Sequence, residues 1–154
     1  MVPVEGLTIA MDYSYMEWDL DPQPNPLNND ELEVFDIPQA PKHSGTVSVD
    51  YDFEPFSFGT LILHADYIGQ SSEDMRWSPK GNLRRDGRDL FNARIILDQI
   101  NIGKDRGTLR AALWGKNITD QDYVSYSITN TGVNSISDAW GEPRTYGIEL
   151  VYEY

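Results

Sequence analysis

Six separate stretches of this chain alternate apolar and polar side chains with a period of two, a pattern that commits them to β-strands. Leu7 to Tyr15 sets Leu7, Ile9, Met11, Tyr13 and Tyr15 against Thr8, Ala10, Asp12 and Ser14. Ser44 to Phe53, Thr60 to Gln70, Leu90 to Gln99, Thr108 to Asn117 and Arg144 to Tyr154 read the same way. A helix would bring apolar residues back every three or four positions. Only Asp89 to Ile100 admits that spacing, and its β-branched isoleucines tip it to a strand. The predicted fold class is all-β.

The connections carry a second pattern. Glu54 to Phe58 and Asn101 to Gly107 are short, whereas Asp19 to Lys42, Ser71 to Asp89 and Ile118 to Pro143 are long, and short and long alternate along the chain. If sequential strands pair as antiparallel hairpins, every short turn falls at one end of the sheet and every long loop at the other. Long loops in a compact domain usually carry function or disorder, so one end is elaborated and the other trimmed.

Charge and composition then exclude whole classes. Net charge is −13, from 25 acidic against 12 basic residues, which argues against binding a nucleic-acid backbone. There is no cysteine, hence no disulfide frame, thiolate nucleophile or Cys-ligated zinc. The 154 residues suit one domain. Met1 to Gly6 lacks a basic stretch leading into an apolar run, and no apolar run reaches about 18 residues, so neither a signal peptide nor a membrane helix is expected. His43 and His64 are the only histidines and no nucleophile-elbow sequence occurs, so no enzyme and no cofactor is expected.

Alternation alone does not say which face meets solvent. In a soluble β-sandwich, such as a carbohydrate-binding module, the apolar face packs on a second sheet; in a transmembrane barrel it meets lipid and the polar face lines the lumen. Aromatic placement favours the barrel, because aromatic side chains at a bilayer gather at its two interfaces. With the long loops outside, Tyr13, Tyr15, Tyr67, Phe91 and Tyr146 fall near the outer strand ends, and Tyr51, Phe53, Tyr152 and Tyr154 near the inner ends. Aliphatic residues such as Leu63, Ile95 and Leu150 lie between. The span from Tyr146 to Tyr154, at ~3.3 Å per residue and a tilt of about 40°, is roughly 20 Å, close to the ~25 Å apolar band of outer-membrane barrels.

Over essentially its whole length the chain resembles the last strands of the TonB-dependent outer-membrane receptor barrel. The resemblance is carried by Ala40 to Tyr51, Gly59 to Tyr67, Leu90 to Leu97, Leu113 to Tyr123 and Pro143 to Tyr154. Its most specific parts are the Asn-Ile-Thr-Asp…Tyr segment at Asn117 to Tyr123 and the Pro-Arg-Thr-Tyr-Gly opening of the last strand. The resemblance implies a location in the outer membrane of a Gram-negative bacterium and a share in energised uptake of a scarce nutrient, most often a ferric siderophore. Such receptors combine an N-terminal plug with a barrel of about 22 strands. Residues 1–154 would supply six strands and no plug, since a closed single-chain barrel needs roughly eight strands or more. The implied partners are therefore outer-membrane lipid, the remaining strands, the plug and the barrel-assembly machinery, with TonB reached only through the missing N-terminal part. Tyr146, Ile148, Leu150, Tyr152 and Tyr154 match the terminal row read by that machinery, with Tyr154 where the family usually has Phe.

Among the loops, Arg76, Trp77, Lys80, Arg84, Arg85 and Arg88 form a basic cluster, a candidate contact for an anion or ferric chelate, since Arg offers forked donors to carboxylates. The more conservative expectation is that they pair with the acidic loop or with lipid headgroups. The acidic loop holds Asp19, Asp21, Asp30, Glu31, Glu33 and Asp36; its start resembles a calcium loop but carries Pro24 where the glycine is required, so a solvated loop is expected. His64 is expected to bond Asp66 on the polar face, and Arg94, Arg110 and Lys116 to pair with Asp98 and Glu149.

Overall fold

A computed structural model describes residues 4–25, 31–34, 37–75, 84–103, 107–130 and 135–154. The described strands are β1 (Leu7–Tyr15), β2 (Gln23–Asn25), β3 (Glu31–Glu33), β4 (His43–Asp52), β5 (Thr60–Gln70), β6 (Glu73–Asp74), β7 (Arg84–Arg85), β8 (Arg88–Asn101), β9 (Thr108–Lys116), β10 (Val124–Asn130), β11 (Ser135–Trp140) and β12 (Thr145–Glu153). No helix occurs among the described residues, and every ladder is antiparallel. The fold class is all-β, as the alternation predicts.

Six of these strands form one sheet in the order β1-β4-β5-β8-β9-β12, a meander that follows the sequence and does not close on itself. The three pairs β2–β3, β6–β7 and β10–β11 are separate small hairpins within the long connections. These hairpins were not expected from the sequence. β2, β3, β6 and β7 are too short for a period of two to stand out, whereas β10 does carry one, with Val124, Tyr126 and Ile128 against Ser125, Ser127 and Thr129.

The register turns six separate alternations into two continuous faces. Leu7, Tyr51, Leu63, Ile95, Leu113 and Ile148 stand side by side across the six strands, and one step along lie Thr8, Asp50, His64, Arg94, Trp114 and Gly147. One irregularity keeps the apolar face intact. Leu97 pairs with Ala111 but Ile100 pairs with Leu109, so β8 carries an extra residue there, with Gln99 at φ 53°. This bulge resets the phase and returns Ile100 to the apolar side.

On β8 and β9 the apolar face is the more exposed one. On β8, Ile95 of the apolar face is 49% exposed while Ile96 of the polar face is 8% exposed; on β9, Leu113 is 54% and Ala112 3% exposed. The strands touch extensively only their ladder neighbours, and no second sheet covers the six-stranded one among the described residues. A sandwich would place a second sheet roughly 10 Å away across the apolar face. Among the described residues, the apolar face is bare.

Glycines seat aromatic rings in the sheet. Gly147 stands opposite Trp114, and a Cβ there would lie 2.3 Å from the indole; Gly115 stands opposite Tyr146, where a Cβ would meet the phenol ring at 2.9 Å. The two rings lie on opposite faces, so the β9–β12 ladder is clamped from both sides.

Candidate functional site

The long connections meet at one end of the sheet. There the β6–β7 hairpin sets Glu73 opposite Arg85 and Asp74 opposite Arg84. Arg85 pairs with the buried carboxylate of Glu73 and donates from Nη1 to the carbonyls of Val124 at 2.7 Å and Ser125 at 2.9 Å, tying this hairpin to β10. Burial, and secondarily the neighbouring Arg88 cation, hold the Arg85 pKa below its ordinary value. An arginine stays charged under such a shift, and Glu73 supplies the compensating anion.

The other described cations of the basic cluster are also engaged. Arg84 donates to the Ser72 hydroxyl. Arg88 donates from Nε to Gln70 at 3.0 Å and lies 4.9 Å from the centre of the Tyr123 ring. Arg76, Trp77 and Lys80 lie outside the described residues. Among the described residues, the partners of Arg84, Arg85 and Arg88 are Ser72, Glu73, Gln70 and backbone carbonyls, with no ion pair to the acidic loop. Such partners cannot be read from a sequence, because β7 and β10 come together only in the folded chain.

Between the two hairpins lies a cavity of about 530 Å³. Its lining includes Arg84, Arg85 and Asp86 from the β6–β7 side and Asp122, Tyr123, Asp138 and Trp140 from the β10–β11 side. Asp138 accepts from the Ser127 hydroxyl. Sequence reasoning missed Asp138 and Trp140 because the whole stretch from Ile118 to Pro143 reads as one long loop; the available signal is the alternation from Val124 to Asn130, which marks the first strand of the hairpin that carries them.

The Asn117 turn locks the end of β9 to its neighbours. Asn117 has φ 47° and is almost fully buried. Its side chain donates to the carbonyls of Gln121 at 2.9 Å and Glu142 at 3.1 Å and accepts from the Gln121 amide, while its own amide donates to Asn92 Oδ1. Gln121 in turn accepts from the Asp89 amide, and Arg144 pairs with Asp120 at 3.0 Å.

On the polar face His64 Nδ1 lies 2.7 Å from Asp50 and Nε2 3.3 Å from Asp66, which also accepts from Asn92. The expected Asp66 contact is present; Asp50 is the closer partner, brought opposite by the register. Arg94 pairs with Glu149 and Arg110 with Asp98, but Lys116 reaches Glu142 instead. In the acidic loop, Asp30 and Asp36 lie outside the described residues, and Pro24 stands opposite Leu32 in the β2–β3 hairpin. Among the described residues no group of three or more histidine or acidic side chains is arranged to hold a metal ion.

The terminal row is open on its own face. Tyr146, Ile148, Leu150, Tyr152 and Tyr154 are 65%, 72%, 67%, 54% and 96% exposed, and the outer edge of β12 pairs with no described strand. No family model matches the chain, and no solved structure matches it.

Proposed function

We propose that this chain is the C-terminal part of a TonB-dependent outer-membrane receptor barrel, whose complete form takes up a scarce nutrient, most often a ferric siderophore, using energy delivered through TonB. The observation that carries the reading is the inverted burial of the sheet, with Ile95 and Leu113 bare while their neighbours Ile96 and Ala112 are covered. Surrounding lipid favours such an arrangement and water does not, because a contiguous apolar patch well above a few hundred Å² is not tolerated on a soluble monomer. The open edges at β1 and β12 add support: in lipid each unsatisfied backbone group costs several kcal/mol, so both edges call for further strands. Substrate contact falls to the loop end of the sheet; the polar face lines the lumen beside the plug.

The test is the behaviour of the chain expressed alone. It aggregates or requires detergent if the bare face meets lipid. A monodisperse monomer in plain buffer, melting cooperatively, would sink the proposal.

A further inference from the structure

We infer that residues 1–154, placed on their own in a bilayer or micelle, close into a barrel of two copies, the free edge of β12 on each copy pairing with the free edge of β1 on the other. The inference rests on the apolar face meeting lipid, as proposed above. It names the partner that the two edges accept when no further strands are joined to them.

The register already carries the slant of a closed barrel. Ile9, Val49, Ala65, Ala93, Gly115 and Tyr146 stand in one row across the sheet. Toward the long connections β1 runs on from Ile9 to Tyr15, whereas β12 reaches only Thr145, next to Tyr146; toward the short turns β1 stops at Leu7, while β12 runs on to Glu153. Both ends of the strands slide the same way, by about five residues over the five steps from β1 to β12, or about one residue per strand. At a rise of ~3.3 Å and a strand spacing of ~4.8 Å this slide is a tilt of about 35°, the slant at which membrane barrels close.

The two edges fit each other and not themselves. β1 and β12 are 9 residues each and stand at opposite ends of a six-stranded meander, so they run in opposite directions. With the long connections of both copies on one side of the bilayer and both apolar faces in lipid, β12 beside β1 of the second copy is antiparallel, like every ladder in the sheet. Pairing β12 with β12 requires one copy to be inverted, with its long connections on the opposite side. Continuing the slide of about one residue per strand sets Tyr15 of the second copy beside Tyr146, then Tyr13 beside Ile148, Met11 beside Leu150 and Ile9 beside Tyr152. The apolar rows join without a break. One like-charged pair results, Glu149 against Asp12, and Arg94 already pairs with Glu149. Two copies make the smallest ring that exceeds the roughly eight strands a closed barrel needs, and the smallest ring loses the least freedom on assembly.

The experiment uses the chain itself, refolded into dodecylmaltoside micelles, and takes advantage of its lack of cysteine. Sedimentation equilibrium of the unaltered chain is expected to give the mass of two copies. Facing residues of an antiparallel pair have Cα atoms about 4.5–5.5 Å apart, within the ~4.4–6.8 Å that a disulfide spans. On oxidation, Met11→Cys/Leu150→Cys is therefore expected to give at least about tenfold more disulfide-linked dimer than Met11→Cys or Leu150→Cys alone. A monomer in detergent, a mass above two copies, or a single variant that cross-links as well as the double overturns the inference and leaves the receptor reading standing. A monodisperse monomer in plain buffer overturns the receptor reading, and this inference with it.

Discussion

Arg94 on β8 reaches over β9 to pair with Glu149 on β12, its guanidinium nitrogen 2.5 Å from the carboxylate. Small Ala112, directly opposite Glu149 in the ladder, leaves room for the crossing, and Ile96 lies opposite Ala112 on the next strand. The bridge spans three strands and adds a covering layer to the polar face. Both side chains remain partly exposed, at 33% and 43%, so water screens the attraction. A double-mutant cycle with Arg94→Met and Glu149→Gln, read by urea unfolding in detergent, is expected to give a coupling of about 0.5–1 kcal/mol. A coupling several times larger would mean the pair is far drier than its exposure indicates.

The buried ion pair of the loop end behaves differently. Glu73 is almost completely covered, so Arg85→Met leaves an uncompensated carboxylate and frees the β10–β11 hairpin; a local cost of roughly 3 kcal/mol is expected. Adding Glu73→Leu removes the stranded charge and should recover most of that loss. Amide hydrogen exchange over Val124 to Trp140 distinguishes the variants, with fast exchange in the single and slower exchange in the double.

Gly147 offers a steric test. A Cβ there collides with the Trp114 indole, so Gly147→Val is expected to cost about 1–3 kcal/mol through overpacking. Pairing it with Trp114→Ala relieves the clash, and the double variant should melt above Gly147→Val. A lower melting temperature for the double variant would locate the damage in the backbone instead.

The two faces can be separated by charge. Under the receptor proposal, arginine at Leu63 or Ile95 is expected to impair insertion of the full receptor by about 2–4 kcal/mol near the bilayer midplane, while arginine at Ser48 or Thr60 is tolerated. Amounts in outer-membrane fractions check this. Equal tolerance at all four positions argues that the bare face does not meet lipid.

How far the sequence alone reaches can be judged from particular residues. β1 and β5 were legible to the residue, at Leu7–Tyr15 and Thr60–Gln70, because a period of two runs along each, interrupted in β5 only by Ile62 and Ile68 on the polar side. β8 is longer than its alternation suggests, since the bulge near Gln99 shifts the phase and hides the return of Ile100. Partners were legible where they share a strand, as His64 and Asp66 do, or share the polar face of the main sheet, as Arg94 with Glu149 and Arg110 with Asp98 do. They were hidden where register or a loop crossing creates them, as for Asp50 with His64, Lys116 with Glu142, and Arg85 with the β10 carbonyls. A basic cluster in a sequence advertises positive charge, and here one of its members, Arg85, holds two hairpins together.

The last strand gives a final test. Its row of Tyr146, Ile148, Leu150, Tyr152 and Tyr154 lacks the charge or proline with which a soluble edge strand blocks pairing. If the assembly machinery reads this row, Tyr154→Asp or removal of Tyr152 to Tyr154 in the full receptor lowers its outer-membrane level while synthesis stays constant. Membrane fractionation with immunoblotting measures both. Normal levels of the Asp variant would reduce Tyr154 to an ordinary packing residue.

The even number of strands in the main sheet has a geometric consequence. Leu7 opens β1 beside Tyr51, where β4 runs into the short turn to β5, and Glu153 closes β12 beside Thr108, where the short turn from β8 ends. The chain therefore enters and leaves the sheet on the same side, and its two free edges point in opposite directions. Such a block has neutral parity. It can be spliced into a longer antiparallel meander, or removed from one, without reversing the direction of any strand on either flank, so the number of strands in the whole can change by six while both ends of the chain stay on one side.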